Sequence, residues 1–174
     1  MGKRNVLIEG VSGTGKTSIC DALLCRGYHA IHGDRDLRSG ATHDSASLSL
    51  SHAERAAFVH AQANWDVPKV LNHLENSQRP VSFFCGGFRN HEELVGLFDL
   101  VLVLEVDRDT LMRRLEARSD DEFGGKPAEK ALIEKLHFTG EDMPKGAIPI
   151  DARSPIDQVA DDVVKICRQF GFVS

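Results

Sequence analysis

The chain has no surplus of basic residues. Its 21 Lys and Arg face 26 Asp and Glu, a net charge of −5, so the electrostatic footprint of a duplex-binding protein is missing. That excludes nucleic acid as the main partner. No apolar run is long enough for a bilayer span. The run after Lys3 and Arg4 is too short for a signal peptide, Gly2 lacks the downstream Ser or Thr of a myristoylation site, and the C-terminus carries no C-a-a-X cysteine. These absences predict a soluble, cytoplasmic protein with no membrane partner. Cys20, Cys25, Cys85 and Cys167 form no C-x-x-C pair and have no companion histidine pair at zinc spacing, and scattered free thiols suit a reducing compartment. Cys20 and Cys25, five residues apart on one predicted helix, point to different faces, which favours packing over redox chemistry. Repeats, low-complexity runs and linkers are also missing. With 174 residues and 41% hydrophobic content, the chain can bury one sizeable core, so residues 1–174 are expected to form a single domain.

What is present is concentrated near the amino end. Val6-Leu7-Ile8-Glu9 is a short apolar strand that runs into Gly10-Val11-Ser12-Gly13-Thr14-Gly15-Lys16-Thr17, a match to G-x-x-x-x-G-K-[ST]. Such a loop wraps a polyphosphate with successive backbone N–H groups, and Gly10, Gly13 and Gly15 let that backbone approach phosphate oxygens without a Cβ in the way. A helix is expected from about Lys16, and its N-terminus adds unpaired N–H groups and the positive end of its dipole. Gly10, Ser12, Gly13, Thr14, Gly15, Lys16, Thr17 and Ser18 are therefore the expected nucleotide-binding set. Lys16 would reach the β- and γ-phosphates, and the Thr17 hydroxyl would hold magnesium.

Further along, Thr17 to Arg26 reads as a helix stopped by Gly27, and Tyr28 to His32 as a strand. The strand ends in Gly33-Asp34-Arg35-Asp36. Alternate residues at a strand end point the same way, so Asp34 and Asp36 are expected to converge on one hydroxyl or on magnesium-bound water, with Asp34 the preferred proton acceptor. The weaker alternative is that both are solvated loop acids, one of them capping a following helix. Arg38 to Ser51 reads as a polar, mobile connection, and Ser51 with Glu54 as a capping box opening a helix that runs to about Asn76 with a kink at Pro68. Trp65 on that helix suits the core better than a stacking role. Val81 to Cys85 is a strand apolar enough to be covered on both faces, followed by Gly86-Gly87-Phe88-Arg89. Gly86 and Gly87 would admit a ligand close to the backbone, and Arg89 would hold an anionic or polyhydroxyl acceptor.

His91 to Phe98 is a short helix and Leu100 to Val106 the most apolar strand, expected beside the first. In the next helix, begun at Asp107 or Asp109, Arg114 and Arg118 stand one turn apart. They lead into a polar segment with Gly124-Gly125, which reads as a lid at about 119–128 that brings arginines over the phosphates and excludes water. A helix from Pro127, a proline-bearing edge strand Ala147–Asp151 and a final amphipathic helix begun by Ser154-Pro155 complete the chain. Strand and helix alternate throughout, giving an α/β fold with helices on both faces of a parallel sheet.

The chain resembles P-loop small-molecule kinases of the adenylate kinase, shikimate kinase and gluconate kinase type. The loop Gly10–Thr17 carries the likeness, Asp34-Arg35-Asp36 resembles the D-x-D that binds magnesium and substrate in shikimate kinases, and Arg114-Leu115-Glu116-Ala117-Arg118 resembles the R-L-x-x-R leading into the lid. The resemblance implies a five-stranded three-layer sheet of order 2-3-1-4-5 and ATP with Mg2+ as cofactors. It also implies Ala152 and Arg153 as contacts to the nucleotide base. Lys16, Asp34, Arg114 and Arg118 become the expected catalytic set, Asp34 and Thr17 the metal contacts, and Asp34, Asp36, Gly86, Gly87 and Arg89 the acceptor contacts. Cys85-Gly86-Gly87-Phe88 replaces the triple glycine of shikimate kinases, and residues 120–127 do not match the gluconate kinase lid, so the acceptor stays open among nucleosides, nucleotides and sugar-acid or shikimate-like hydroxyls. The expected protein is a monomer or homodimer. A nucleotide-binding switch without turnover is the alternative, although neither N-K-x-D nor an apolar run ending in Asp-Glu is present. A nucleic-acid end kinase would need the basic groove that the charge balance denies.

Overall fold

The computed structural model describes residues 3–40, 49–76 and 78–173. Five strands, β1 (Arg4–Glu9), β2 (His29–His32), β3 (Val81–Cys85), β4 (Leu100–Glu105) and β5 (Ile148–Asp151), form one sheet in the order β2-β3-β1-β4-β5. All four pairings are parallel. The expected topology is therefore the observed one, with β1 in the middle and the proline-bearing β5 at an edge. The middle of the polar connection, residues 41–48, lies outside the described residues.

Alternation along the strands divides the core. Val6, Ile8, Phe83 and Cys85 face a layer that includes Ile19 and Leu23 of α1 (Lys16–Cys25) and Val159 and Val163 of α7 (Ile156–Gln169), while Leu7 and Phe84 face Trp65, Val70, Phe88 and Leu94 on the other side. Period-two side chains cannot escape burial when helices cover both faces, which is why the strands read as continuous apolar runs. Every strand then ends at the same edge of the sheet, and the loops leaving β1, β2 and β3 meet there.

The helix expected over residues 51–76 is two helices, α2 (His52–Ala61) and α3 (Val67–Asn76). Ser51 and Glu54 do close a capping box at the start of α2. Pro68 falls in the first turn of α3, where a missing N–H costs nothing, and the break comes earlier, at Trp65. This side chain is 1% exposed. Its main chain is clamped by Asn90, whose Oδ1 accepts from the Trp65 N–H at 3.1 Å and whose Nδ2 donates to the Trp65 carbonyl at 3.1 Å. A bridge between Arg38 and Trp65 completes the anchor. Trp65 is a core residue as expected, but on a connection that turns inward. At α7 the helix starts at Ile156 with Pro155 as its cap, and no side-chain bond caps it.

Trp65 also decides which residues can stand at two strand ends. A Cβ on Gly33 would lie 2.0 Å from Trp65 Cζ2, and one on Gly86 would lie 2.7 Å from the same atom and 2.8 Å from Asp34 Oδ1. Glycine at both places lets the indole pack under the β2 and β3 loops. Gly33→Ala should therefore lower stability by about 1–3 kcal/mol through overpacking, read as a drop in the urea midpoint. Gly96→Ala, where an added Cβ meets nothing within 4 Å, is the comparison and should move the midpoint far less.

Candidate active site

The phosphate loop owes its shape to three glycines. Gly10, Gly13 and Gly15 have φ of +155°, +97° and +110°, and Gly13 and Gly15 thus hold conformations that side chains rarely tolerate. A Cβ on Gly10 would lie 2.5 Å from Thr14 Oγ1 and 2.9 Å from the Leu104 carbonyl. The Thr14 hydroxyl turns back to donate to the Val11 carbonyl at 2.9 Å. Lys16 folds over the same loop, its ammonium donating to the Gly10 and Val11 carbonyls at 2.6 and 3.1 Å. Burial lowers the pKa of this ammonium, against the opposing pull of the Asp34 and Glu9 carboxylates.

Two arginines reach the loop from α5 (Arg108–Glu116) and the turn that follows it. Arg114 donates to the Thr14 carbonyl at 3.0 Å and to the Ala152 carbonyl at 2.8 Å, joining the phosphate loop to the turn after β5. Arg118 donates to Ser12 Oγ at 2.8 Å and to the Phe123 carbonyl, so the turns before α6 (Pro127–Thr139) are tied to the loop as well.

Asp34 and Asp36 do not converge. Gly33–Leu37 leaves β2 as a single π-helical turn, not as a continuing strand, and the period-two rule no longer applies. Asp34 points to the β3 loop, where its Oδ1 accepts the Gly87 N–H at 3.0 Å and faces Arg38 Nη2 at 3.8 Å. Asp36 turns to its neighbour Arg35, whose hydrogen bond and charge hold the carboxyl below the usual range. Of the two expected base contacts, Ala152 lines the cavity over the glycine loop, whereas Arg153 pairs with Asp151 at 2.7 Å and draws that carboxyl down to about 2.

Arg89 has partners that sequence reading did not find. Its Nη2 lies 3.2 Å from Oε1 of Glu9 and its Nη1 2.9 Å from Oδ2 of Asp142. Glu9, the last residue of β1, is 0% exposed and also accepts from His91 Nε2 at 2.9 Å, leaving its Oε2 without a partner. Asp142, in the loop after α6, is bonded in turn by His60 of α2. A chain of alternating charge thus runs from the centre of the sheet to the loop before β5. A carboxylate ending a phosphate-loop strand was the available signal for Glu9. Nothing local marks His60 or Asp142.

Among the described residues, two cavities that share a wall open at this edge. One, of about 660 Å3, is lined by the phosphate loop from Ser12 to Ser18, Arg114, Ala152 and Ser154. The other, of about 350 Å3, lies beyond the β1 and β3 ends, against Arg38, Gly87, Arg89, His60 and Asp142. Ser12, Lys16, Asp34, Arg118 and Glu122 line both. Gly86 lies outside these walls, packed against Trp65 and Asp34, while Gly87 is open enough that an added Cβ would sit 3.7 Å from Arg89 and Glu9. Among the described residues no helix is long and apolar enough to cross a membrane, and no cluster of three or more His, Cys, Asp or Glu could hold a metal ion by itself.

Burial raises the Asp142 carboxyl, but its bonds from His60 and Arg89 outweigh that effect and hold it below its usual 3.8. A depressed carboxylate stabilises the fold above the unfolded value, and that contribution disappears as pH falls through the lower folded value. Asp142→Asn should cost about 1–2 kcal/mol at pH 7, with wild type and variant converging in melting temperature towards pH 3. A gap unchanged over that range would mean that the charge is not what Asp142 contributes.

The family described as an AAA domain matches residues 6–135, from β1 into α6. No curated protein sequence matches the chain. Among solved structures, the chain is similar to a sugar kinase from Janibacter sp. HTCC2649 (TM-score 0.56, 16% identity, 99% of each chain covered) and to a gluconokinase from Sinorhizobium meliloti 1021 (TM-score 0.52, 19% identity, 97% of this chain and 96% of that one). A shikimate kinase from Bacteroides thetaiotaomicron is similar at a TM-score of 0.61 and 17% identity, over 95% of this chain and 98% of the other. At these identities the likeness is one of fold. The matched span contains the glycine loop, the Asp34 turn and the arginine helix, and the sheet order is that of the kinases: the chain belongs to the AAA domain family and has the fold of the P-loop small-molecule kinases.

Proposed function

We propose that this protein is an ATP- and Mg2+-dependent kinase that transfers the γ-phosphoryl group to a small-molecule acceptor. The observation that supports this reading is the common wall of the two cavities, which includes Lys16, Asp34 and Arg118: a nucleotide would lie on one side of it and an acceptor on the other. A nucleotide switch has no need of the second cavity.

The nucleotide's phosphates would lie on the N–H groups of residues 12–18, with Ala152 beside the base. Lys16 exchanges its two loop carbonyls for phosphate oxygens. Arg114 and Arg118 stabilise the charge that spreads over the transferring group. Magnesium fits a site with few protein ligands, since it keeps several waters and leans on the phosphates. Thr17 and, through water, Asp34 would hold it, and it would supply neutralising charge. Asp34, fixed by the Gly87 N–H, accepts the proton of the acceptor hydroxyl. A bond forms between that oxygen and the γ-phosphorus, the bond to the β,γ-bridging oxygen breaks, and ADP leaves with the electron pair. Gly87 gives the acceptor access to the backbone, and Arg89 supports the far end of its cavity. The segment 119–128 acts as a lid, because Arg118 ties it to Ser12 and closure would exclude water that otherwise hydrolyses ATP.

ADP release in a coupled assay across nucleosides, nucleoside monophosphates, sugar acids and other hydroxyl compounds tests the reading. At least one acceptor should stimulate turnover. Lys16→Ala should lower it by about 10^2-fold or more, and Asp34→Asn by about 10^2-fold with ATP binding retained. ATP binding without acceptor-stimulated turnover across the panel would favour the switch instead.

A further inference from the structure

Resting on that reading, we infer that the acceptor is an uncharged hydroxyl compound with a ring or branched apolar body, not an acid or a phosphate ester. Charge supplies the first argument. Among the described residues, four cations line the acceptor cavity, Lys16, Arg38, Arg89 and Arg118. Lys16 and Arg118 stand on the wall shared with the nucleotide, where the phosphates claim them. Arg89 is clamped between the carboxylates of Glu9 and Asp142, and Arg38 faces Asp34. The far end therefore offers no cation that lacks a carboxylate beside it. An incoming anion would meet the Asp142 carboxylate in the wall and an Arg89 whose charge Glu9 already balances from behind, and like charges brought together in a water-poor cleft repel strongly.

The second argument is the rest of the wall. Val59 and Ala63 on or beside α2, Phe123 from the turns before α6, Ile133 and Leu136 from α6, and Met143 beyond it give one side of the cavity an apolar surface. Val59 is 47% exposed, so an apolar side chain borders the opening, and Phe123 stacks with His60 at 6.4 Å between centroids. A body bearing hydroxyls all round would leave several without partners against this side, each at a cost, whereas a ring or branched chain would bury there with gain. A hydroxyl at the other end would reach Asp34. The cavity, about 350 Å3, suits a small molecule of this kind.

The test compares matched compounds in the ADP-release assay with ATP and Mg2+: phenyl-1,2-ethanediol against mandelate, and nucleosides against their 5′-monophosphates, with gluconate as a polyhydroxyl acid. Calorimetry with ADP bound measures the same compounds without turnover. The uncharged member of a productive pair should lead by about tenfold or more in kcat/KM. Phe123→Ala should raise its KM about tenfold with the KM for ATP little changed. Asp142→Asn, by uncovering part of the Arg89 charge, should narrow the lead over the anionic member. An anionic compound turned over or bound in preference to its uncharged counterpart would overturn this inference and leave the kinase reading standing. Absence of stimulation by any compound, with ATP bound, would overturn both.

Discussion

Burial of β1 on both faces is the constraint from which the site follows. A strand covered by helices above and below must be apolar along its length and must pair on both edges, and β1 does so with β3 and β4. Only beyond its last residue can the backbone serve a ligand. The one charged side chain at that end, Glu9, is fully buried, and a charge held there demands partners. Arg89 and His91, both from the segment after β3, supply them. The glycine loop after β1 and the loop after β3 are thus joined by an ionic contact at the centre of the sheet. Any shift of the β3 loop disturbs the loop that follows β1.

The second organising element is the packing of one indole against two loops. Trp65 occupies the volume that side chains at positions 33 and 86 would need, so the turn holding Asp34 and the turn holding Gly87 rest on the same surface. The hydrogen bond from Gly87 N–H to Asp34 then joins them directly. Packing and one main-chain donor thus hold the Asp34 carboxylate in place, as its proposed role would require.

Features encoded by neighbours in sequence were legible. The glycine loop, the capping box at Ser51 and the arginine spacing arise from residues a few positions apart and the strands from apolar periodicity, while the order of the strands came from the family resemblance. What was missed depends on distant contacts. Asp36 was expected beside Asp34 because a strand was assumed to continue, and the chain instead tightens into a π-helical turn. The break between α2 and α3 was placed at Pro68, the residue with the obvious local signal, whereas tertiary burial of Trp65 decides it. Asp142 and His60 are 82 positions apart, and their meeting could not be read from either segment.

The ammonium of Lys16 rests on the carbonyls of its own loop. On the proposed function, nucleotide entry would be an exchange: two neutral acceptors are given up for charged ones, and the gain is the difference between them rather than the full strength of the new bonds. On departure of the nucleotide those carbonyls would stand ready to take the ammonium back, which would ease release and keep the loop in its geometry.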